Sequence, residues 1–460
     1  MRSRRIHRLI LLGLDALAVL TVFNVTVWMR GFLPWGHVIV GPLLGPFLLL
    51  AAALYLIDGY RSGTAMMSLD YTSLHVVAVA AALVGTLLLT FVFAPADYPL
   101  QSSRAVIALS FVLLAGITLT YRRSLHRWTE AEANAGAILF LGDRASGEAF
   151  RAACAENHLH RPIIFASLDE RPARSSAETR SSDNPAFLDV MRAVAARETN
   201  LEAIVLRESG AALPTPIADQ LMALFFRGVP TFTLELFYET YWRKIPLYRL
   251  NHVWLFQEGF EIARDRVFER VKRVTDIATA VLGLVLFMPL LLLAAAAIRL
   301  QDGGPALFRQ TRVGWRRQPF TLIKLRTMQV GTPADGSARY TLANDPRITP
   351  LGRLLRATRL DEVPQLWNVL KGEMSLIGPR AEWTELVAAY ERDIPCYHFR
   401  HLVRPGITGW AQVNYPYGAN LVDTLRKLEY DLYYIRHFSF LIDASIMLKT
   451  VHLMLVGKGK

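Results

Sequence analysis

The chain has 460 residues, 52% of them hydrophobic, and a mean hydropathy of +0.26, which is too apolar for an ordinary soluble globular protein. Its formal net charge of +12 suits a surface held against anionic lipid headgroups or a site for phosphorylated substrates; nucleic acid would also fit that charge, but no nucleic-acid fold signature accompanies it. The two cysteines, Cys154 and Cys396, are far apart and lack metal-ligand spacing, so neither a disulfide framework nor a zinc site is supported, and the active parts are expected in the cytosol.

Four apolar runs come first, near residues 9–29, 38–57, 74–93 and 105–121, each long enough to cross a hydrocarbon core of about 30 Å. They predict a four-helix transmembrane bundle over residues 1–130. The first run is too long for a cleavable signal peptide and has no small-residue cleavage site after it. Arg2, Arg4, Arg5 and Arg8 precede the first run, Arg61 lies between the second and third, and Arg122, Arg123 and Arg127 follow the fourth. Only Arg30 and Arg104 mark the other side, which puts both ends of the bundle in the cytoplasm. Asp15, inside the first run, is read as facing the interface or the bundle interior, with a functional intramembrane charge as the alternative.

From Gly136 the pattern changes. Short apolar strands at Ala137–Leu141, Ile163–Ser167 and Ala203–Leu206 alternate with helical segments near 147–156, 186–198 and 215–227, which predicts a Rossmann-like α/β domain over 136–262. Gly142 and Gly147 lie in its first turn without the spacing that lets backbone approach a pyrophosphate, so a dinucleotide is not expected there. The Ser-, Arg- and Pro-rich stretch 168–185 reads as a loop.

Residues 277–298 form a fifth apolar run, with Lys272, Arg273 and Asp276 before it and Arg299 after it. A fifth span would carry Arg309, Arg312, Arg316, Arg317, Lys324 and Arg326 to the face that basic residues avoid. Pro289 sits near the middle of the run, where it removes a backbone hydrogen bond and clashes with the preceding turn. The expectation is therefore a broken, re-entrant helix that enters and leaves on the cytoplasmic face, an ordinary kinked span being the alternative. A strand carrying Lys324 follows at Pro319–Leu325, then a loop at 330–346. The tail 425–456, with Tyr430, Tyr433, Tyr434, Phe438 and Phe440 among basic residues, reads as amphipathic helices in the membrane interface.

Between the loop and the tail, Arg353, Arg356 and Arg359 stand directly before the adjacent carboxylates Asp361 and Glu362. Pro364 belongs in a helix's first turn, and Leu366, Val369 and Leu370 form a stripe that ends at Gly372, so the carboxylates fall at a helix N-terminus. The helix dipole and the three arginines are expected to keep both ionised near neutral pH. An ionised Asp can attack phosphorus, and its neighbour can hold Mg²⁺ together with substrate phosphate oxygens. The residues alone also allow a plainer reading, in which Asp361 is an N-cap and Glu362 a surface charge.

The run RLDEVPQLWNVLKGEMSLIGPR, followed by RPGITGWAQVN at 404–414, closely resembles the signature of the bacterial sugar transferases known as polyprenyl-phosphate phosphoglycosyl transferases. The resemblance covers residues 270–460 and joins several separated motifs in order. It implies a catalytic domain over 265–460 in which Asp361 is the nucleophile on the β-phosphate of a nucleotide-diphosphate sugar, with UDP-hexose as the expected donor. Glu362 would bind Mg²⁺, and Lys324, Arg356, Arg380 and Arg404 would surround the phosphates. Polyprenyl phosphate would then take the sugar-phosphate from Asp361. Lys272, Arg273 and Asp276 would bind headgroups or anchor the hairpin around Pro289.

In larger members of the family the middle domain looks regulatory or oligomerising, which makes a homodimer plausible. The membrane implied is the bacterial inner membrane. One departure is Ala381, where the family usually has a second Pro after Gly-Pro-Arg. It leaves Arg380 in place and is expected to make the turn less rigid. Competing readings are a non-catalytic scaffold of a polysaccharide complex and a metal-dependent glycosyltransferase that releases nucleoside diphosphate.

Overall fold

Apolar segments in lipid must pair every backbone N–H and C=O internally, which is why the N-terminal runs are helical. The computed structural model describes residues 2–61, 64, 66–93, 103–133, 136–157, 159, 161–166, 200–207, 215–247, 266–329, 345–415 and 420–456. The chain divides into two units, Met1–Arg243 and Lys244–Lys460. The loop expected at 168–185, the helix at 186–198 and most of the loop at 330–346 lie outside the described residues.

The first unit begins with α1 (Arg2–Met29), α2 (Leu44–Leu56), α3 (Leu69–Leu88) and α4 (Arg104–Ala133). Stretches of α1, α3 and α4 are long and apolar enough to cross a membrane, and they mark a membrane protein. The second run is shorter than expected: α2 has 13 residues, about 20 Å at 1.5 Å per residue. α1 packs on α4 and α2, and α3 packs on α2 and α4.

Asp15 is fully buried, so of its expected locations the bundle interior is the one found. Both terminal nitrogens of Arg122 lie 2.7 Å from its carboxylate, and the hydroxyls of Tyr60, at 2.6 Å, and Tyr121 donate to it as well. Arg122, counted in the sequence among the charges flanking the membrane, is also fully buried.

After the bundle come β1 (Gly136–Leu141), α5 (Arg144–Glu156), β2 (Ile163–Ala166), β3 (Asn200–Leu206), α6 (Thr215–Phe226), β4 (Thr231–Thr233) and α7 (Leu234–Phe237). The strands form a parallel sheet in the order β2-β1-β3-β4, with Leu139 opposite Ile164 on one side and Ile204 on the other. Leu139, Leu141 and Ile204 pack on Ile217 and Leu221 of α6, while Phe140 and Val205 pack on Phe150 of α5 and Phe237 of α7. Both faces are covered, which explains why β1 and β2 are apolar throughout instead of alternating. β4 was not legible because three residues carry no period. Asp143 caps α5 by accepting from Ser146 N at 2.8 Å and pairs with Arg207 at the end of β3, so a carboxylate of the chain itself sits at that helix N-terminus.

The second unit is built on α8 (Arg266–Asp302), a 37-residue helix with a contour length of about 55 Å. The helix does not stop at Pro289, as a full break would require: the proline lies inside one run of α-helix. Packing supplies the reason, since the halves on either side of Pro289 rest on the same fold. Ala280 packs with Phe320 and Leu322, and Leu291, Ala294 and Ile298 pack with Leu325 and Leu355. Its ends are tied there too. Near the start, Lys272 pairs with Asp443, Arg273 donates to Leu370 O at 2.7 Å, and Asp276 accepts from Leu376 N at 3.2 Å. At the far end Asp302 accepts from Arg326 at 2.8 Å.

An antiparallel hairpin follows, β5 (Leu307–Val313) and β6 (Pro319–Leu325), then α9 (Pro350–Ala357), a 3₁₀ turn at Leu360–Glu362 and α10 (Gln365–Lys371). β7 (Ser375–Ile377) lies parallel to β8 (Gly406–Thr408), with α11 (Thr384–Asp393) and a 3₁₀ turn at Tyr397–Leu402 between them. A Cβ on Gly406 would meet Gly378 N at 2.0 Å, so this pairing has room for no side chain there.

α12 (Trp410–Asn414), α13 (Leu421–Arg436) and α14 (Phe440–Val456) complete the unit. Residues 244–247, grouped by sequence with the middle domain, pack here: Ile245 and Leu247 join the core of this unit and Lys244 lies 3.5 Å from Glu429. Part of the tail turns inward, away from the interfacial role expected of it. Tyr430, Tyr434 and Phe438 are buried in this core with Leu428 and Leu432, so those aromatic residues pack the protein instead of anchoring it in lipid. α14 does keep an exposed apolar set, including Leu441, Val451 and Leu455.

Breaking a buried ion pair strands one charge, at a cost of about 3–5 kcal/mol, whereas replacing both partners by apolar groups is far milder. Asp15→Leu and Arg122→Leu should therefore each lower the melting temperature in detergent, and the double variant should melt above the worse single. A double variant as unstable as the two losses summed would show that the charges act independently.

Candidate active site

The chain leaves α9 through Arg359, whose φ of 57° is left-handed and costs a non-glycine residue roughly 1–2 kcal/mol. That turn aims the Leu360–Glu362 segment at β6, which packs against it together with α9. Asp361 and Glu362 thus precede α10 in a 3₁₀ turn of their own instead of lying in its first helical turn, and Pro364 takes the cap position. Gly372 ends α10 in the left-handed conformation at φ 86°, as the glycine stop signal predicts.

Asp361 is only 6% exposed, and its Oδ1 has no hydrogen-bond partner. Glu362 is half-buried, with Arg359 Nη1 3.5 Å from one carboxylate oxygen and Arg380 Nη1 3.8 Å from the other. Arg356, in the last turn of α9, donates from Nε to Thr327 Oγ1 at 2.9 Å. Lys324 sits half-buried on β6 over the Phe308 ring.

These groups set one another's charge. Burial pushes the Asp361 carboxyl up to about 6, and the Glu362 charge adds to the rise, while Lys324, Arg356 and Arg359 oppose it. Desolvation outweighs the cations, so the Asp361 carboxyl lies above its ordinary value, not below it, while staying mostly ionised near neutral pH as the sequence led one to expect. Lys324 moves the other way, down to about 8, through burial and the neighbouring Arg380, with Asp361 opposing. The site is an acidic pair under a cradle of cations, one carboxylate oxygen of which is left for a ligand. Two adjacent carboxylates with few other protein ligands also fit Mg²⁺, which takes most of its oxygens from substrate and water.

A family model described as bacterial sugar transferase matches residues 267–457. The chain is 47% identical over 182 residues to a UDP-glucose:undecaprenyl-phosphate glucose-1-phosphate transferase of Caulobacter vibrioides, covering 39% of this chain and 68% of that protein. It belongs to the bacterial sugar transferase family. An uncharacterized sugar transferase of Bacillus subtilis, EpsL, is 40% identical over 189 residues, covering 41% of this chain and 89% of that protein. A UDP-N-acetylgalactosamine-undecaprenyl-phosphate N-acetylgalactosaminephosphotransferase of Aeromonas hydrophila is 40% identical over 231 residues, 50% of this chain. There the match spans about half of the relative, 53% of its length.

Within this sugar transferase the fold gathers Asp361, Glu362, Lys324, Arg356 and Arg380, together with Arg359. Arg404 is not among them. Its Nε donates to Gly372 O at 3.2 Å and its guanidinium lies 4.4 Å over the Trp315 ring, at the far end of α10. Arg273 donates to the carbonyls of Val369 and Leu370 beside it, so both arginines cap a helix C-terminus. Lys272 and Asp276 act as anchors of α8, and Pro289 lies within it. Trp410 and Gln412, of the RPGITGWAQVN run, form a packed turn: Trp410 is 2% exposed and Gln412 donates to Ile407 O.

Asn368 escaped notice. Fully buried on α10, it accepts from Ile323 N at 3.2 Å and donates to Thr321 O at 2.7 Å, fixing the edge of β6 on either side of Leu322, two positions before Lys324.

If Asp361 serves as a nucleophile it must do so without its proton, and Lys324 is a cation only with its own. The pH profile of kcat/KM should therefore rise through about 6 and fall through about 8. Lys324→Arg, whose guanidinium keeps its charge, should remove the alkaline fall and leave the acid rise. An unchanged alkaline limb in that variant would assign it to another group.

Proposed function

We propose that the protein transfers a sugar-1-phosphate from a UDP-hexose to undecaprenyl phosphate, releasing UMP, as the first membrane step of exopolysaccharide or O-antigen type glycan assembly. The observation that carries the reading is the buried Asp361 with an unpartnered Oδ1 beneath Lys324, Arg356 and Arg380. The relatives' names point to the same class of reaction.

In the first step an Asp361 oxygen bonds to the β-phosphorus, the bond from that phosphorus to the bridging oxygen breaks, and UMP leaves with the electron pair. In the second, an oxygen of undecaprenyl phosphate attacks the same phosphorus and Asp361 departs as a carboxylate. No proton or electron is left over. Two half-reactions at one carboxylate suit one soluble and one lipid substrate that need not be bound together. Lys324 and the guanidiniums of Arg356 and Arg380 neutralise charge on the phosphoryl oxygens, which is most of what such transfers require. Glu362 would hold Mg²⁺, which supplies further neutralisation when bound.

The membrane arrangement supports the lipid acceptor. Because both ends of α8 are tied to one fold, the helix reads as embedded from the cytoplasmic face with both ends on that side, keeping the site open to cytosolic UDP-sugars. Leu282, Val285, Leu286, Leu292 and Leu293 present an exposed apolar surface to lipid. A groove of about 1010 Å³ between α8 and the hairpin, lined by Met288, Leu292, Leu307 and Trp367 and bordered by Arg299 and Arg309, is suited to an isoprenoid tail. The parallel sheet of the first unit reads as a Rossmann-like domain for regulation or homodimerisation.

The full chain, supplied with undecaprenyl phosphate and a panel of UDP-sugars, should release UMP and form a lipid-linked diphosphate sugar. Asp361→Asn should lose at least about 10³-fold of turnover while staying folded, and Glu362→Gln should also be impaired. UDP as product, or undiminished turnover in folded Asp361→Asn, would overturn the proposal.

A further inference from the structure

Arg380 reaches the acidic pair from a loop with no regular secondary structure, and the sequence gives that loop less stiffness than its relatives' signature would, Ala381 replacing a proline. Yet four consecutive carbonyls of the loop are each held by a donor from elsewhere. Pro379 O accepts from Gly406 N at 2.9 Å, Arg380 O from Arg400 Nη2 at 3.0 Å, Ala381 O from Arg312 Nη1 at 3.0 Å, and Glu382 O from Val313 N at 3.0 Å.

The two side-chain donors are buried guanidiniums, Arg400 6% and Arg312 8% exposed. Arg400 is fixed in turn: the same Nη2 lies 2.9 Å from Asp431 Oδ2, and Nη1 donates to the Tyr397 hydroxyl. Asp431 is 2% exposed, so the cation and its carboxylate neutralise each other inside the core.

We infer that Arg400, paired with Asp431, is a positioning residue that aims Arg380 at the substrate phosphate. The inference rests on the reading above that Arg380 meets that phosphate. A planar guanidinium with five donors bonds the Arg380 carbonyl, the Asp431 carboxylate and the Tyr397 hydroxyl together, which the single ammonium of a lysine in that cavity does not reproduce. Buried hydrogen bonds thus do for this loop what a proline ring does by covalent restraint. Arg400 touches no reacting atom in this scheme and acts through the backbone of Arg380.

The test is a double-variant cycle in the full chain with a UDP-sugar and undecaprenyl phosphate, read as kcat/KM for the sugar nucleotide. Arg380→Ala and Arg400→Lys should each lower it about 10-fold or more, and adding Arg400→Lys to Arg380→Ala should change it less than about twofold, because the residue being aimed is gone. Equal losses from Arg400→Lys in both backgrounds, with Arg380→Ala itself impaired, would overturn the positioning role alone. Unchanged kcat/KM in Arg380→Ala would overturn the phosphate role of Arg380 and this inference with it. If Arg400→Lys does not fold, Asp431→Asn, which keeps the volume and one acceptor oxygen, runs the same cycle with the same two outcomes.

Discussion

Two carboxylates on adjacent residues repel each other, and burying one of them away from water adds a desolvation cost that the rest of the catalytic unit must offset. Asp361 and Glu362 meet that condition by sharing a ring of cations, and the fold around them consists largely of means to hold those cations still. Thr327 fixes the Arg356 guanidinium, Asn368 locks the edge of the strand that carries Lys324, and the loop bearing Arg380 is hydrogen-bonded along its length. Desolvation still prevails at Asp361, whose carboxyl is pushed up to about 6. A carboxylate so raised is a better nucleophile than one held at its ordinary value, and at neutral pH it remains mostly ionised.

The same principle orders the membrane half. Asp15 and Arg122 are removed from solvent altogether, and the bundle tolerates them because each is the other's partner and tyrosine hydroxyls complete the carboxylate's bonding. At the start of α8 the pairing of Lys272 with Asp443 and the bond from Leu376 N to Asp276 fasten a long apolar helix to a polar fold. Charge here locates elements as well as serving chemistry, and the two roles are separated by what lies next to each charge.

That distinction is what the sequence left hidden. A proline and a terminating glycine made α10 legible, since local chemistry decides both ends, and the acids behind three arginines marked the site, though not the 3₁₀ turn that holds them apart from the helix. Alternating apolar segments likewise revealed β1, β2 and β3. Arg404 shows the limit: its motif position suggests phosphate, yet the side chain caps α10, and only tertiary packing could say so. Tyr430 and Tyr434 resemble interfacial anchors by composition, but α13 turns them into the core. Pro289 has the local chemistry of a break, yet the α-helix runs on through it, with packed contacts at Ala280 before it and at Leu291, Ala294 and Ile298 after it. Arg400 and Asp431 are 31 positions apart and give no periodic signal at all.

The central claim is that the sugar-phosphate rests on Asp361 between two half-reactions. The most direct measurement is the mass of the protein after incubation with a UDP-sugar and Mg²⁺ in the absence of any lipid acceptor, followed by acid quench and peptide mapping. The account predicts a gain of one sugar-phosphate on the peptide containing Asp361, one equivalent of UMP released, and loss of the adduct when undecaprenyl phosphate is added. Protein of unchanged mass, with UMP appearing only once the lipid is present, would contradict it and point to direct transfer between the two substrates.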